Sequence, residues 1–198
     1  RMAWRSFLED VFLAALASLD LLGLDPARFQ DCLEKFPGVP GRMERIEGNG
    51  FTIFVDYAHT PDAFEHILSE AKRLGPRRIL TLFGCGGDRD PFKRPEMTRL
   101  AYHYSDCLIL TSDNPRTEDP AEILRQMREG LPGRFPFPNV LEISDRREAI
   151  GELIALAEPG DVVFILGKGH ENYQILGTGK VPFDDREVVR DLLKAKLK

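Results

Sequence analysis

The sequence predicts an α/β fold with a mainly parallel open sheet, helices on both of its faces, and a short helical segment at the N-terminus. From residue 51 onward, strand patterns alternate with helical patterns of about ten residues or more, as in proteins built from β-α-β units. Most of the strand patterns are nearly continuous apolar runs, which is typical of strands covered by helices on both faces of a sheet. Two of the helices begin with a capping residue followed by proline, at Thr60-Pro61 and Asp119-Pro120.

The N-terminal part of the chain differs from the rest. Residues 7–24 have a helical periodicity that ends at Gly23, and residues 26–35 predict a second short helix. The stretch that follows, residues 36–42 with the sequence FPGVPGR, is rich in proline and glycine and predicts a linker. We therefore expect two parts, a helical segment at residues 1–36 and the main domain at residues 37–198.

The main domain alternates strands and helices along its length. Strands are expected at residues 51–56, 78–83, 106–111, 140–143 and 161–166. Helices are expected at residues 61–74, 94–104, 120–129, 145–157 and 184–197. The stretch at 130–139, with three prolines and two phenylalanines, predicts a loop, and GTGK at 177–180 predicts the turn of a small hairpin.

The composition excludes several classes of protein. The 198 residues are 42% hydrophobic and 30% charged with a net charge of −5, so no basic surface for nucleic acid is expected. The longest apolar stretch, residues 11–24, is broken by Ser18 and Asp20 and is too short to span a membrane. Three widely spaced cysteines without a CxxC pair favour a reducing cytoplasm and no metal site.

Glycines and polar residues gather directly after four of the predicted strands. The clusters are DYAHTPD at residues 56–62, GCGGDRD at 84–90 with KRP at 93–95, SDNPR at 112–116, and GKGHE at 167–171. In an open parallel sheet, ligands bind at the carboxyl ends of the strands. We therefore expect these clusters to form one site.

The side chains of these clusters suit a zwitterionic small molecule. Arg89 and Arg116 can bind carboxylates through their planar guanidinium groups, and Asp113 and Glu171 can bind ammonium groups. An ordinary turn is the alternative for residues 112–116, because Ser-Asp and Asn-Pro are common turn formers. The presence of such clusters at four strand ends favours the binding site.

Other residues of the clusters have alternatives that stay open. Asp56 could accept hydrogen bonds from ribose hydroxyls or could form a turn or helix cap. His59 could lie near a phosphate or be structural. Lys93 and Arg94 could neutralise an anionic group or form a solvated pair. Two residues beside Glu171 have roles that the sequence does not distinguish, namely Lys168 and His170.

Two familiar nucleotide-binding motifs are absent. The glycine-rich run at 84–89 departs from the dinucleotide fingerprint of Rossmann folds, because Arg89 occupies the position of the third glycine. The pattern GxxxxGK[ST] does not occur, so the 198 residues contain no P-loop for ATP. The expected fold is therefore Rossmann-like without either of these phosphate-binding motifs.

The motifs together resemble the C-terminal domain of the Mur ligase family. Six of them occur in this order: GRME at 41–44, DYAHTPD at 56–62, GCGGDRD at 84–90, KRP at 93–95, DNPR at 113–116 and GKGHE at 167–171. The resemblance covers roughly residues 36–190. Within the family, DNPR is similar to the signature of members that add meso-diaminopimelate rather than lysine.

The resemblance implies an ATP-dependent acid–amino-acid ligase of peptidoglycan synthesis in the cytoplasm. In such enzymes, which use ATP and Mg²⁺, meso-diaminopimelate is joined to UDP-N-acetylmuramoyl-L-alanyl-D-glutamate through an acyl phosphate. Diaminopimelate would be held by Arg89, Asp113, Asn114, Pro115, Arg116, Gly167 and Glu171. Arg42 and Asp56 would bind ATP, Lys93 and His59 would act near the transferred phosphate, and no residue is assigned to a metal.

The family also has an N-terminal domain for the uridine nucleotide and a central P-loop ATPase domain, and the sequence carries the motifs of neither. Residues 7–24 resemble only the last helix of that central domain, so residues 1–36 are expected to be a helical remnant of it. The chain is therefore expected to be inactive alone. Two alternatives stay open: a non-catalytic binding module of the same fold, and a paralogous ligase, such as a polyglutamate or cyanophycin synthetase, that adds another amino acid.

Overall fold

A computed structural model describes residues 14–25 and 36–196. The chain divides into two compact units, residues 1–38 and 39–198. In the first unit, residues 14–21 are helical, within the helix predicted at 7–24. The remainder of that prediction, up to residue 13, and the helix predicted at 26–35 lie outside the described residues. The division at residues 36 and 37 stays a prediction.

The second unit contains eight strands and five helices among its described residues. The strands are β1 (Glu44–Glu47), β2 (Thr52–Asp56), β3 (Ile79–Cys85), β4 (Cys107–Ser112), β5 (Val140–Glu142), β6 (Val162–Leu166), β7 (Tyr173–Leu176) and β8 (Gly179–Pro182). The helices are α1 (Pro61–Arg73), α2 (Lys93–Tyr104), α3 (Pro120–Arg128), α4 (Arg146–Leu156) and α5 (Asp185–Lys196). The caps of α1 and α3 confirm the predicted starts, because Thr60 accepts from the Ala63 N–H and Asp119 from the Ala121 N–H.

Six strands form one sheet in the order β1-β2-β6-β3-β4-β5, and β7 and β8 form a separate hairpin. All neighbours in the large sheet are parallel except β1 and β2, which are antiparallel. The chain moves outward from β2 to β5 and then returns to place β6 between β2 and β3. This reversal of strand order is the type of position at which open α/β sheets bind ligands.

The two faces of the sheet are covered by different helices. Apolar residues of α4 and α5, such as Ile150 and Val189, pack in one core cluster with Leu80 and Leu82 of β3. Side chains alternate along a strand, so Phe83 points to the opposite face, where its ring lies 4.9 Å from that of Phe64 in α1. The predicted mainly parallel sheet with helices on both faces is confirmed.

Strand β1 is the element of the large sheet that no sequence pattern predicts. Its sequence, ERIE, contains only one apolar residue, Ile46, and this is the one that is buried. An antiparallel edge strand needs cover on one face only, so it lacks the continuous apolar run that marks the central strands. The hairpin of β7 and β8 confirms the turn predicted at residues 177–180.

Candidate functional site

The four polar clusters come together at the carboxyl edge of the large sheet. The last residue of β2, Asp56, is paired with Leu166 at the end of β6, and Cys85 of β3 is paired with Ser112 of β4. The residues after these strands therefore lie side by side, as the parallel topology predicts.

Asn114, Lys168 and Glu171 form a closed triangle of hydrogen bonds between the ends of β4 and β6. The Asn114 Nδ2 donates to Glu171 Oε2 at 2.8 Å, and Lys168 Nζ donates to the same oxygen at 3.0 Å. Lys168 Nζ also donates to Asn114 Oδ1 at 3.2 Å. Since 57 residues separate Asn114 from Glu171, the fold brings together two motifs that are distant in sequence.

Asp113 is a buried residue near this triangle, and its carboxylate oxygens keep some contact with solvent. The residue is 8% exposed, and no described residue donates a hydrogen bond to its carboxylate. Gly167, with φ of 112°, makes room for it, because a Cβ at that position would lie 2.9 Å from Asp113 Oδ2. Burial raises the pKa of the Asp113 carboxyl, and the charges of Arg146 and Lys168 act in the opposite direction.

Arg116 adds a cation near Asn114, whose backbone carbonyl it contacts while the Asn114 side chain contacts Glu171. Its backbone has φ of 54°, the left-handed region that non-glycine residues seldom adopt. The Nη1 atom donates to the carbonyl oxygens of Gly87, at 2.7 Å, and Asn114, at 3.4 Å. Among the described residues, the Nε and Nη2 groups of Arg116 have no acceptor, so they remain available for a carboxylate.

The hairpin of β7 and β8 is attached to the same run through β7. The Ile175 N–H donates to Asn114 Oδ1 at 2.9 Å, and the Arg116 N–H donates to the Ile175 carbonyl at 3.1 Å. Gln174 Nε2 donates to the carbonyl of Asp113 at 2.9 Å. These contacts fix the conformation of residues 113–116.

The glycine-rich loop after β3 is held in place from two sides. The Gly87 N–H donates to the Asn114 carbonyl at 2.9 Å. Arg94 is fully buried, forms a two-pronged ion pair with Glu118, and donates to the Gly86 carbonyl at 2.9 Å. Arg94 therefore supports the loop, and the predicted solvated pair with Lys93 is wrong for this residue. Arg89 is exposed on the loop and donates to the carbonyl of Asp88 at 3.0 Å.

A second group of predicted residues lies around the end of β2. Asp56 accepts from the N–H of Met43, at 2.7 Å, and from that of Ala58, at 2.7 Å. Burial raises the pKa of Asp56, while these two hydrogen bonds act in the opposite direction. The guanidinium of Arg42 lies 4.7 Å from the centroid of the Tyr57 ring. Asp56 thus fixes the turn that carries Arg42 against an aromatic surface.

Lys93 and His59 are neighbours beside that surface. Lys93 Nζ donates to the carbonyl of His59 at 2.8 Å, and His59 Nδ1 lies 2.8 Å from the carbonyl of Tyr57. Because a carbonyl only accepts, Nδ1 carries the hydrogen and Nε2 is left available. The Tyr57 ring also contacts the His170 ring, with centroids 5.0 Å apart.

Several residues important to the site were not assigned a role from the sequence. Lys168 joins the two motifs, Gln174 supports Asp113, and Arg146 donates to the last carbonyls of β4 and β6, those of Ser112 and Leu166. The glycines on both sides of Lys168 are the only sequence signal that marks it. Nothing local marks Arg146, which begins an ordinary helix pattern.

Two features are absent from residues 14–25 and 36–196, a membrane-spanning helix and a metal-ligand cluster, and one buried cysteine has a raised pKa. None of the helices there is long and apolar enough to cross a bilayer. No cluster of three or more His, Cys, Asp or Glu side chains there is placed to hold a metal ion. Burial, reinforced by the charge of Asp113, raises the pKa of the Cys85 thiol to about 12, so it is not a nucleophile at neutral pH.

A family model for the glutamate ligase domain of Mur ligases matches residues 41–169. A UDP-N-acetylmuramoyl-L-alanyl-D-glutamate–2,6-diaminopimelate ligase of Thermosynechococcus vestitus is 49% identical over 189 residues, which are 94% of this chain and 37% of that protein. The enzyme of the same name from Synechocystis is 50% identical over 91% of this chain and 36% of its own length. The chain thus spans about 37% of the length of the curated relatives it matches.

A solved structure of a UDP-N-acetylmuramoyl-L-alanyl-D-glutamate–2,6-diaminopimelate ligase superposes with a TM-score of 0.77 and 43% identity. The match covers 98% of this chain and 39% of that one. Together with the family model, it confirms the resemblance drawn from the six motifs. The chain belongs to the Mur ligase family, of which it carries the glutamate ligase domain.

Proposed function

We propose that this chain is the amino-acid-binding part of an ATP-dependent ligase that adds meso-diaminopimelate to UDP-N-acetylmuramoyl-L-alanyl-D-glutamate in peptidoglycan synthesis. The observation that carries the proposal is the Asp113 carboxylate, which belongs to a residue only 8% exposed, accepts no hydrogen bond from a described residue, and lies near the charge of Glu171. Two neighbouring carboxylates, one of them with no hydrogen-bond donor of its own among the described residues, suit a cationic ligand group. Relatives that bear this enzyme's name, at 49% and 50% identity, support the choice of amino acid.

The roles of the individual side chains follow from their chemistry. Asp113 and Glu171 would accept hydrogen bonds from an ammonium group of diaminopimelate, and the free edge of the Arg116 guanidinium would bind a carboxylate. Arg89, exposed on the glycine loop, would bind the other carboxylate. Three further residues would shape the site without supplying a charge: Asn114, Pro115 and Gly167.

The nucleotide would meet this chain at the end of β2. Arg42 and Asp56 would contact ATP, and Lys93 and His59 would lie near the transferred phosphoryl group. The P-loop, the Mg²⁺ site and the site for the uridine nucleotide would belong to other domains of the same cytoplasmic enzyme. In that enzyme, residues 1–36 would form the end of the central ATPase domain.

The reaction would proceed in two steps. ATP would phosphorylate the side-chain carboxylate of D-glutamate and release ADP. The amine of diaminopimelate would then attack the acyl carbon, lose a proton and displace phosphate, which leaves a peptide bond. Since the 198 residues contain no GxxxxGK[ST] sequence, this chain alone would bind the amino acid without joining it to anything.

Calorimetric titration of the chain with meso-diaminopimelate and with lysine tests the proposal. We expect diaminopimelate to bind more tightly than lysine by about a hundredfold or more, because lysine leaves a guanidinium without its carboxylate. Equal affinities would remove the assignment of the amino acid and would favour a paralogous ligase.

A chimera distinguishes a ligase domain from the alternative that stays open, a non-catalytic binding module of the same fold. Residues 37–198 would replace the corresponding domain of the Thermosynechococcus vestitus relative, whose own chain is the control. Ligation of diaminopimelate by the chimera is the expected result. A folded chimera that binds diaminopimelate but forms no product would identify a module that is not catalytic.

A further inference from the structure

Lys168 is a fully buried lysine for which the proposed chemistry has no direct use. Its side chain is 0% exposed, although an ammonium group is costly to remove from water. It lies between two glycines with positive φ, Gly167 at 112° and Gly169 at 51°. The Glu171 N–H donates to the Lys168 carbonyl at 2.8 Å, and the resulting turn directs both side chains toward the end of β4.

Lys168 and the backbone of Ile175 together fix the orientation of the Asn114 amide. Asn114 Oδ1 accepts from Lys168 Nζ at 3.2 Å and from the Ile175 N–H at 2.9 Å. A flipped amide would place its NH₂ group against these two donors. The oxygen is therefore held on their side, and Nδ2 is held toward Glu171 Oε2 at 2.8 Å.

Lys168 also determines which part of Glu171 is free. Oε2 accepts from both Lys168 Nζ and Asn114 Nδ2, whereas no described residue donates to Oε1. The Glu171 side chain retains 15% exposure in front of the buried lysine. One carboxylate oxygen is thus fixed by the protein, and the other is available to a ligand.

We propose that Lys168 is a positioning residue of the amino-acid site, which holds Asn114 and Glu171 so that Glu171 Oε1 receives an ammonium group of the ligand. The ligand assignment rests on the proposed function, whereas the orientation of Asn114 does not. Lys168 acts through these two side chains and does not contact the ligand.

The test compares Lys168→Met with Lys180→Met in the 198-residue chain. Lys180 is a matched control, because it is exposed and its Nζ lies 3.5 Å from the centroid of the same Tyr173 ring that Lys168 faces at 5.7 Å. By calorimetry we expect Lys168→Met to weaken meso-diaminopimelate binding about tenfold or more, as when a hydrogen bond to a charged group is lost. Lys180→Met should stay within about twofold of the parent chain.

A ligand-free measurement distinguishes positioning from a general loss of structure. In ¹⁵N NMR spectra, Lys168→Met should shift the side-chain amide signals of Asn114, assigned from their disappearance in Asn114→Asp, while most backbone signals stay in place. Unchanged Asn114 signals, or diaminopimelate affinity equal to that of the parent chain, would overturn the proposal. If the parent chain does not bind diaminopimelate, the proposed function fails while the NMR result still decides the role of Lys168 toward Asn114.

A second variant covers the case in which Lys168→Met does not fold. Lys168→Gln keeps a donor for Asn114 but carries no charge for Glu171. We expect it to fold and to bind diaminopimelate less tightly than the parent chain. Binding by Lys168→Gln as tight as that of the parent chain would also overturn the proposal.

Discussion

Asp113 is a residue whose burial disfavours folding at neutral pH, while its charge would favour ligand binding in the proposed function. Burial raises the pKa of its carboxyl in the folded chain, with Arg146, Lys168, Glu171 and Asp185 as the charged groups around it. The folded state therefore binds this proton more tightly than the unfolded state does. The stability that Asp113 contributes is fully present when the pH is below 3.8, the ordinary pKa of this carboxyl. It is lost as the pH rises through the raised pKa of the folded chain.

We therefore predict that Asp113→Asn is more stable than the parent chain at neutral pH, by about 0.5–2 kcal/mol, the usual size of a single stabilising substitution. The difference in stability should vanish at about pH 3, where the carboxyl is protonated in both states. Urea unfolding across this pH range measures it. The same variant should lose diaminopimelate binding, because a neutral amide does not pair with an ammonium group.

Asp161 is a control whose pKa shifts in the opposite direction from that of Asp113. It is also buried, but Arg78 Nη2 donates to it at 2.6 Å, and the pKa of Asp161 is lowered by this ion pair in spite of burial. The stability that Asp161 contributes is present when the pH is above 3.8, the ordinary pKa of this carboxyl. It is lost as the pH falls through the lowered pKa of the folded chain. Asp161→Asn should thus destabilise the chain at neutral pH. An Asp113→Asn variant that is also less stable there would contradict the interpretation of Asp113.

At the scale of elements, the loop after β6 packs against the turn before β1 without room for side chains. A Cβ on Gly169 would lie 2.6 Å from the Gly41 carbonyl oxygen and 2.6 Å from the Tyr57 Cβ. A Cβ on Gly41 would lie 2.1 Å from the His170 nitrogen. These two glycines allow the turn that carries Arg42 to rest on the loop that carries Lys168.

Gly169→Ala and Gly177→Ala form a matched pair that tests this packing. Both glycines have left-handed backbones, with φ of 51° and 60°, but nothing lies within 4 Å of a Cβ at Gly177. Gly177→Ala should cost about 1–2 kcal/mol from backbone strain alone. Gly169→Ala should cost about 1–3 kcal/mol more through overpacking, as measured by chemical unfolding. Equal losses would show that the turn and the loop are not tightly packed.

The elements also differ in how well the sequence predicted them. Strands buried on both faces, such as β3 and β4, were predicted within two residues at each end, because apolar runs mark them. The edge strand β1 was missed, because one buried isoleucine among charged residues gives no strand signal. The attachment of β7 to Asn114 could not be predicted, because it depends on a side chain about sixty residues away.

At the scale of the whole molecule, the parallel topology made much of the site predictable. Strands that run in one direction end at one edge, so the motifs after β2, β3, β4 and β6 were expected to meet there, and they do. The supporting residues were not predictable in the same way. Arg146 and Arg94 are buried arginines, and charged residues in a helix pattern ordinarily indicate a solvated face.

Arg146 connects helices α4 and α5, which cover one face of the sheet, to the strand ends at the candidate site. It begins α4 and forms a two-pronged ion pair with Asp185, the first residue of α5, with both distances at 2.8 Å and both side chains fully buried. It also donates to the carbonyls of Ser112, at 3.3 Å, and Leu166, at 3.1 Å. One guanidinium thus ties two helices to the ends of the strands that precede Asp113 and Gly167.

We predict that Arg146→Met lowers the free energy of unfolding by about 3–5 kcal/mol, because it leaves the buried Asp185 carboxylate without its partner. Adding Asp185→Leu should recover much of that loss, since a buried ion pair can often be replaced by apolar side chains. Diaminopimelate affinity should not recover, because neither apolar side chain donates to the Ser112 and Leu166 carbonyls. Urea unfolding and calorimetry on the single and double variants measure both quantities. A double variant that binds diaminopimelate as tightly as the parent chain would show that Arg146 supports the fold without setting the spacing of β4 and β6 at the site.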